Sequence, residues 1–466
     1  MEKILIKKVV TRFAPSPTGT LHIGGVRTAL FNYVYSKQND GLFLIRIEDT
    51  DRERSTKEFE ENILKNLISI GLSPDEKPIN QSDRNHIYLQ AAEKIIESGN
   101  AYWCDCSSEE LDQMRKEQTE NGKKPMYDGR SRNLGLKRSD KTVLRLATPL
   151  NGETIINDII RGEVKFQNSE LDDLILLRSD GTPTYHLCNV VDDYQQKVTT
   201  VIRGEDHLSN TPRQIHIQNA LGYPKLEYAH LPLVLGTDKK RLSKRHAATS
   251  LDEYREKGYL DSAILNTLAR LGWSKGENEI FYLEDLIKDF NLNEIQKAGA
   301  VFDITKLDWH NTQHLANLSF QDFKEALKPH LKKLNIDIDE HKNSEILIRS
   351  MRTADANLSL IANALIPYYK NFESYDEHAV KKFINDEAKE MLKEIKVLFM
   401  DASWDENTLD KLLKEFQIKK ELPIPKVFQP VRIALTGASK SPSLGLTLSL
   451  FNKNEAIARI DRLISL

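Results

Sequence analysis

A run of small, rigid and polar residues, Ala14-Pro15-Ser16-Pro17-Thr18-Gly19-Thr20-Leu21-His22-Ile23-Gly24-Gly25, follows the β-type stretch Val9-Val10-Thr11-Arg12-Phe13. A helical pattern begins near Val26. Such a loop cannot continue a strand, and its glycines let the backbone come close to a ligand. The helix start offers unpaired N–H groups and the positive end of a dipole to an anion. His22 can donate to phosphate oxygens. The arrangement suits ATP, with Ser16, Gly19, His22, Gly24 and Gly25 as candidates, although no Gly-Lys-Ser/Thr follows as in a Walker loop. An isolated His-x-Gly is otherwise an ordinary capping or packed histidine.

The second element is basic: Lys239-Lys240-Arg241-Leu242-Ser243-Lys244-Arg245. Charge runs usually form solvated faces. By themselves Arg241, Leu242, Ser243, Lys244 and Arg245 read as such a face.

Positioning these residues requires an alternation of strand and helix. Val26, Leu30, Tyr33 and Val34 share one helical face, and Leu42–Ile47 reads as a buried strand ending in Glu48-Asp49-Thr50-Asp51. Ser55 and Glu58 form a capping box for a helix carrying Phe59, Ile63 and Leu67. This β-α-β-α order predicts an α/β, Rossmann-type parallel sheet with ligands at the carboxyl ends of its strands. Residues 102–189 read as an insertion with short strands at Thr142–Ala147 and Leu174–Arg178. Val198–Arg203 resumes the sheet and leads into Gly204-Glu205-Asp206-His207. Beyond about residue 250 helical periodicity dominates, and Pro423-Ile424-Pro425 marks a joint.

The 466 residues are long enough for about three domains. With 66 basic and 69 acidic residues the formal charge is −3, so a generally basic nucleic-acid binder is excluded and any RNA contact comes from local patches. Three cysteines exclude a disulfide framework and fit a reducing compartment. The apolar stretch at the start is too short for a signal peptide, and no run of 18 apolar residues offers a membrane span. The chain reads as cytoplasmic.

Together, far apart in sequence, the two stretches resemble the paired ATP motifs of class I aminoacyl-tRNA synthetases; the resemblance overturns both ordinary readings and implies that Arg241, Leu242, Ser243, Lys244 and Arg245 bind ATP with the first loop. More narrowly, the chain is similar to the bacterial glutamyl-tRNA synthetases over nearly its whole length. The likeness rests on Arg12-Phe13-Ala14-Pro15-Ser16-Pro17-Thr18-Gly19, Arg46-Ile47-Glu48-Asp49-Thr50-Asp51, Pro183-Thr184-Tyr185-His186-Leu187, Asn189-Val190-Val191-Asp192-Asp193 and Val201-Ile202-Arg203-Gly204-Glu205-Asp206-His207.

The resemblance implies a reaction in which L-glutamate and ATP form glutamyl-adenylate and the acyl group passes to the terminal adenosine of tRNA(Glu). His22 and Lys244 are then the catalytic candidates, and Mg2+ accompanies the triphosphate. Arg12 suits a bidentate pair with the substrate's side-chain carboxylate; its structural alternative is a salt bridge to Glu48 or Asp49. By resemblance Tyr185 and Asn189 assist Arg12, Arg203 faces the α-carboxylate, and Glu48 with Ser16 receives the ammonium. Glu205 and Asp206 either touch nucleotide or brace Arg203.

The resemblance also divides the chain into a catalytic domain at 1–101 and 190–235, an inserted acceptor-binding α/β domain at 102–189, a stem-contact region at 236–315, and an all-helical anticodon-binding region at 316–466. A monomer is the family expectation. Arg432 is the tRNA-binding candidate, whereas Phe428, four residues earlier, reads rather as core. Some relatives bind zinc through a Cys-x-Cys pair, a tyrosine and a further cysteine. Here Cys104, Cys106 and Tyr127 remain, but Ser131 stands at the last position, a poor zinc ligand, so zinc is not expected.

Ala354 stands where many relatives carry an arginine thought to read the third anticodon base, with Arg352 as a substitute. Charging of tRNA(Gln) therefore remains an alternative, as does a non-catalytic tRNA-binding paralogue.

Overall fold

The computed structural model describes residues 8–51, 53–242 and 250–466. Two compact units emerge, residues 1–251 with 265–304, and residues 252–264 with 305–466.

In the first unit Val10–Phe13 (β1) and Leu42–Ile47 (β2) pair in parallel, Val10 opposite Leu42 and Phe13 opposite Ile45. Both are buried almost throughout, which explains why they read as continuous rather than alternating apolar runs. The crossover is Ile23–Gln38 (α1), whose Ile23, Val26, Ala29, Leu30, Phe31 and Val34 are all buried. At Gly41, where the chain enters β2, a Cβ would stand 2.3 Å from the Val9 carbonyl oxygen. Only glycine fits there.

The next helix, Lys57–Ser69 (α2), buries Ile63 and Leu67 as expected, but its cap is Thr56, whose side chain accepts the Phe59 N–H. The anticipated Ser55–Glu58 box does not form. Ser55 N–H is held by the Asp51 carbonyl at 3.0 Å, which keeps Ser55 in the preceding turn. Ile79–Asn80 (β3) then extends the sheet beside β2.

After Asn85–Glu97 (α3), the strands Ala101–Cys104 (β4), Val143–Leu146 (β5) and Ile175–Leu177 form an antiparallel sheet of their own. The intervening hairpin, Glu153–Asp158 (β6) and Gly162–Gln167 (β7), does not belong to that sheet. Instead β6 lies parallel to Glu227–Leu231, with Asp158 opposite Tyr228. The inserted segment thus sends one hairpin to the sheet that carries the site.

Thr200–Gly204 pairs in parallel with Glu227–Leu231 and lies beside β1, where Thr199 N–H donates to the Val10 carbonyl at 2.9 Å. Asn32 of α1 also donates to the Ile202 carbonyl at 2.9 Å. A strand stands close to where the sequence predicts one, but its ladder groups it with Glu227–Leu231, β6 and β7 in a four-stranded sheet of its own, set beside the three-stranded β1–β2–β3.

The second unit is helical from Phe320 onward among the described residues. Ser319, Asn357 and Asp405 each cap one of its helices, as short polar side chains do. Phe323, Leu327, Leu365, Leu413 and Val431 meet in one core. Pro423 precedes the helix Ile424–Thr436, which ends at Gly437 with φ of 73°.

Candidate active site

The segments that follow the strands converge on a cavity of about 450 Å³. Ser16, Gly19, His22, Gly24 and Gly25 line it, as do Arg12, Glu48, Tyr185, Asn189, Arg203, Arg241 and Leu242. Two backbone bonds pin the loop after β1 to the segment after β2: Glu48 N–H to the Pro15 carbonyl at 2.9 Å and Thr56 N–H to the Pro17 carbonyl at 3.2 Å.

His22 caps α1, its Nδ1 accepting the Gly24 N–H at 3.0 Å. A ring nitrogen that accepts carries no proton, so the neutral imidazole keeps its proton on Nε2. The capping and ligand-binding readings of His22 are compatible for that reason. Ser243, Lys244 and Arg245 lie outside the described residues. Their neighbours do not: Leu242 lines the cavity, and Ser250 forms an antiparallel bridge with His22.

Arg12 is almost fully buried and its Nε sits 3.1 Å from Asp193 Oδ1. The expected structural partners, Glu48 and Asp49, are both engaged elsewhere. Asp49 accepts from the Ser82 N–H and hydroxyl. Glu48 accepts from Asn189 Nδ2 at 2.8 Å and Arg46 Nη2 at 3.2 Å. Among the described residues, Arg12 makes no further hydrogen bond, which leaves both Nη nitrogens for a ligand. Burial raises the Glu48 carboxyl above its usual range against the pull of Arg46, Arg12 and Asn189.

Behind this wall lies a network that the sequence reading did not assign. Fully buried Arg46 pairs with Asp193 at 2.6 Å and with Glu48, and stands 3.9 Å from Asp192. Burial alone would weaken its charge, but the three carboxylates hold it protonated. Asp192 in turn accepts from Gln81, Arg84 and the Tyr88 hydroxyl, at 3.0, 2.8 and 2.7 Å. Two adjacent acids in the otherwise buried helix Tyr185–Gln195 were the available signal.

Arg203 differs. Its Nε donates to His230 Nε2 at 3.2 Å and its Nη2 to Thr211 Oγ1 at 2.8 Å. Nη1 is buried without a hydrogen-bond partner, and no carboxylate among the described residues lies within ion-pair range. Neither Glu205 nor Asp206 braces it. Glu205 accepts the Leu233 N–H at 2.8 Å and pairs with Arg161; Asp206 pairs with Arg241 at 3.2 Å. Tyr185 places its hydroxyl 3.3 Å from His207 Nδ1, whose imidazole burial and Arg203 push down to about 4.

Outside the cavity, Cys104 Sγ approaches the Tyr127 hydroxyl at 3.3 Å, and Ser131 N–H donates to that same oxygen at 3.0 Å. Ser131 Oγ turns to Asp105 at 3.4 Å. Among the described residues no group of three histidines, cysteines or acids could hold a metal ion. In the second unit, Arg432 is half-buried and donates to Ser441 Oγ at 2.8 Å, while Phe428 packs partly against the helical core. Ala354 also packs there, and Arg352 donates to the Leu315 carbonyl at 2.8 Å. No helix among the described residues is long and apolar enough to cross a membrane.

The sequence pattern of the tRNA synthetases class I (E and Q), catalytic domain, matches residues 8–309, and that of the anticodon binding domain matches residues 322–464. A glutamate–tRNA ligase of Thermodesulfovibrio yellowstonii is 43% identical over 465 residues, covering 98% of this chain and 99% of its own length. Glutamate–tRNA ligase 2 of Halorhodospira halophila is 42% identical, covering 97% and 96%. The crystal structure of a glutamate tRNA ligase from Elizabethkingia meningosepticum, in complex with its amino acid, superposes with a TM-score of 0.85 at 34% identity, covering 98% and 99%.

Proposed function

The chain belongs to the class I tRNA synthetases of the glutamate and glutamine type, and on that footing we propose that it is a glutamate–tRNA ligase. One observation carries the choice of amino acid. At the Arg12 end of the cavity three carboxylates, Glu48, Asp192 and Asp193, face the guanidiniums of Arg12, Arg46 and Arg84, and Arg203 remains uncompensated. Arg12 through its Nη nitrogens and Arg203 through Nη1 keep donors unpaired for a substrate with two carboxylates. Glutamate has two; glutamine has one.

In this reading Arg12, with Tyr185 and Asn189, binds the side-chain carboxylate, Arg203 the α-carboxylate, and Glu48 with Ser16 the ammonium. An α-carboxylate oxygen attacks the α-phosphorus of ATP and pyrophosphate leaves. A hydroxyl of the tRNA terminal adenosine then attacks the acyl carbon and AMP leaves. No protein nucleophile is required, so positioning and electrostatic stabilisation carry the rate. His22 donates its Nε2–H to the phosphates, and Lys244 supplies positive charge. Gly19, Gly24, Gly25, Arg241, Leu242, Ser243 and Arg245 complete the nucleotide site. Mg2+ arrives with the triphosphate as part of the substrate.

The proposed division of labour keeps the catalytic domain at 1–101 and 190–235, the acceptor-binding insertion at 102–189, the stem-contact region at 236–315 and the anticodon-binding helices at 316–466. Arg432 is the proposed tRNA contact, and the enzyme acts as a cytoplasmic monomer. A second reading, additional charging of tRNA(Gln), is favoured by Ala354 and by the inward anchoring of its substitute Arg352 on Leu315.

Aminoacylation of purified tRNA(Glu) and tRNA(Gln) with glutamate tests both readings. The main reading predicts glutamyl-tRNA(Glu) and glutamate-dependent pyrophosphate exchange with tRNA present, lost in Lys244→Ala. Absence of both products overturns it; glutamyl-tRNA(Gln) alongside establishes the second.

A further inference from the structure

Arg203 is buried, charged and without a carboxylate, so something else must hold its orientation. His230, on the strand Glu227–Leu231, is fully buried and faces it, with Nε2 3.2 Å from Arg203 Nε and 3.1 Å from Thr211 Oγ1. Arg203 Nε can only donate, whereas the Thr211 hydroxyl can donate or accept, so Nε2 must be the acceptor. The other ring nitrogen, Nδ1, lies 2.6 Å from Asp158 Oδ2, and this carboxylate is also fully buried. A donor on one side and an acceptor on the other leave one neutral tautomer, with the proton on Nδ1.

We infer that Asp158 and His230 are positioning residues that fix Arg203 in place while leaving its charge unneutralised for the substrate carboxylate. The inference rests on the glutamate reading above. A carboxylate placed directly on Arg203 would orient it equally well but would compete with the ligand. Interposing a neutral imidazole satisfies the Nε–H and keeps the anion one ring away. Asp158 reaches this position because β6 leaves the inserted segment to pair with the strand that bears His230. Burial lowers the His230 imidazole, consistent with its neutral role.

The geometry also dictates how Asp158→Asn should fail. Oδ1 accepts the N–H groups of Ile160 and Arg161 at 3.0 and 2.8 Å, so the amide oxygen of an asparagine must stay on that side. Its NH2 then meets the Nδ1–H, a donor, while the His230 backbone N–H keeps the oxygen at 3.3 Å as its acceptor. The ring is driven to the opposite tautomer, which presents N–H to Arg203 N–H.

Steady-state kinetics of pyrophosphate exchange with tRNA present should show KM for glutamate raised about tenfold or more in Asp158→Asn and His230→Leu. KM for ATP should stay within about twofold. His230→Gln, which restores an acceptor toward Arg203, should recover most of the loss. Nitrogen-15 spectra of histidine-labelled wild-type protein, with His230 assigned by its absence in His230→Gln, should show the proton on Nδ1. Equal defects in the Leu and Gln variants, parallel shifts of both KM values, or an Nε2–H imidazole would overturn the inference. A wild-type enzyme with no glutamate-dependent exchange would instead refute the glutamate reading, and the tautomer would still decide the role of His230.

Discussion

His22 and Gly24 form a two-residue clasp, with imidazole Nδ1 accepting the backbone N–H at 3.0 Å at the first turn of α1. One side chain thus closes the helix start and is fixed as an Nε2–H donor.

The two roles separate by substitution. Asparagine also caps helices, so His22→Asn should leave stability within about 0.5 kcal/mol of wild type, whereas His22→Ala should lose about 1 kcal/mol in denaturant unfolding. Both remove the Nε2–H, and both should lower the activation rate by roughly 10²–10³-fold in pyrophosphate exchange. A wild-type rate in His22→Asn would remove His22 from the catalytic set.

Arg12→Ala is expected to spare the fold, because Asp193 keeps its bond to Arg46 at 2.6 Å. Its effect should fall on the amino acid, weakening glutamate recognition by roughly 2–5 kcal/mol with KM for ATP unchanged. Competition between glutamate and glutamine reads this directly. An unaltered preference would place Arg12 outside the amino-acid site.

Gly41→Ala should destabilise the first unit by about 1–3 kcal/mol, since the new Cβ would lie 2.3 Å from the Val9 oxygen and 2.9 Å from the Ser36 oxygen. Both obstacles are backbone and cannot rotate away. Thermal unfolding measures the loss, and an unchanged midpoint would contradict the close approach.

His314 provides a pH signature. Burial lowers its imidazole to about 4, against about 6.5 in the unfolded chain. The fold favours the neutral form, so this contribution is complete above about pH 6.5 and is lost as pH falls toward 4. Linkage makes the loss roughly 3 kcal/mol at most. The unfolding free energy of His314→Gln, measured by urea from pH 7 to 4, should fall less steeply than that of wild type. Parallel curves would show that His314 does not titrate in this way.

Much of the scaffold was legible along the chain. Leu42–Ile47 reads as a strand because both its faces are covered, which demands an unbroken apolar run. The cap of α2 was misplaced by one residue because the Asp51–Ser55 turn, set by backbone bonding, decides where the helix begins. Arg12, Glu48, Tyr185, Asn189 and Arg203 were named through family likeness, and all five line one cavity.

The partners of those residues were another matter. Asp193 stands 181 positions from Arg12, and Asp158 stands 72 from His230. Local chemistry fixes residue type, helix period and turn, since these depend on neighbours a few bonds away. Which acid meets which base depends on strand order and on the hairpin that carries Asp158 across to another sheet. Distances set that choice, because a buried ion pair or imidazole relay forms only where the packed backbone brings its atoms within about 3 Å.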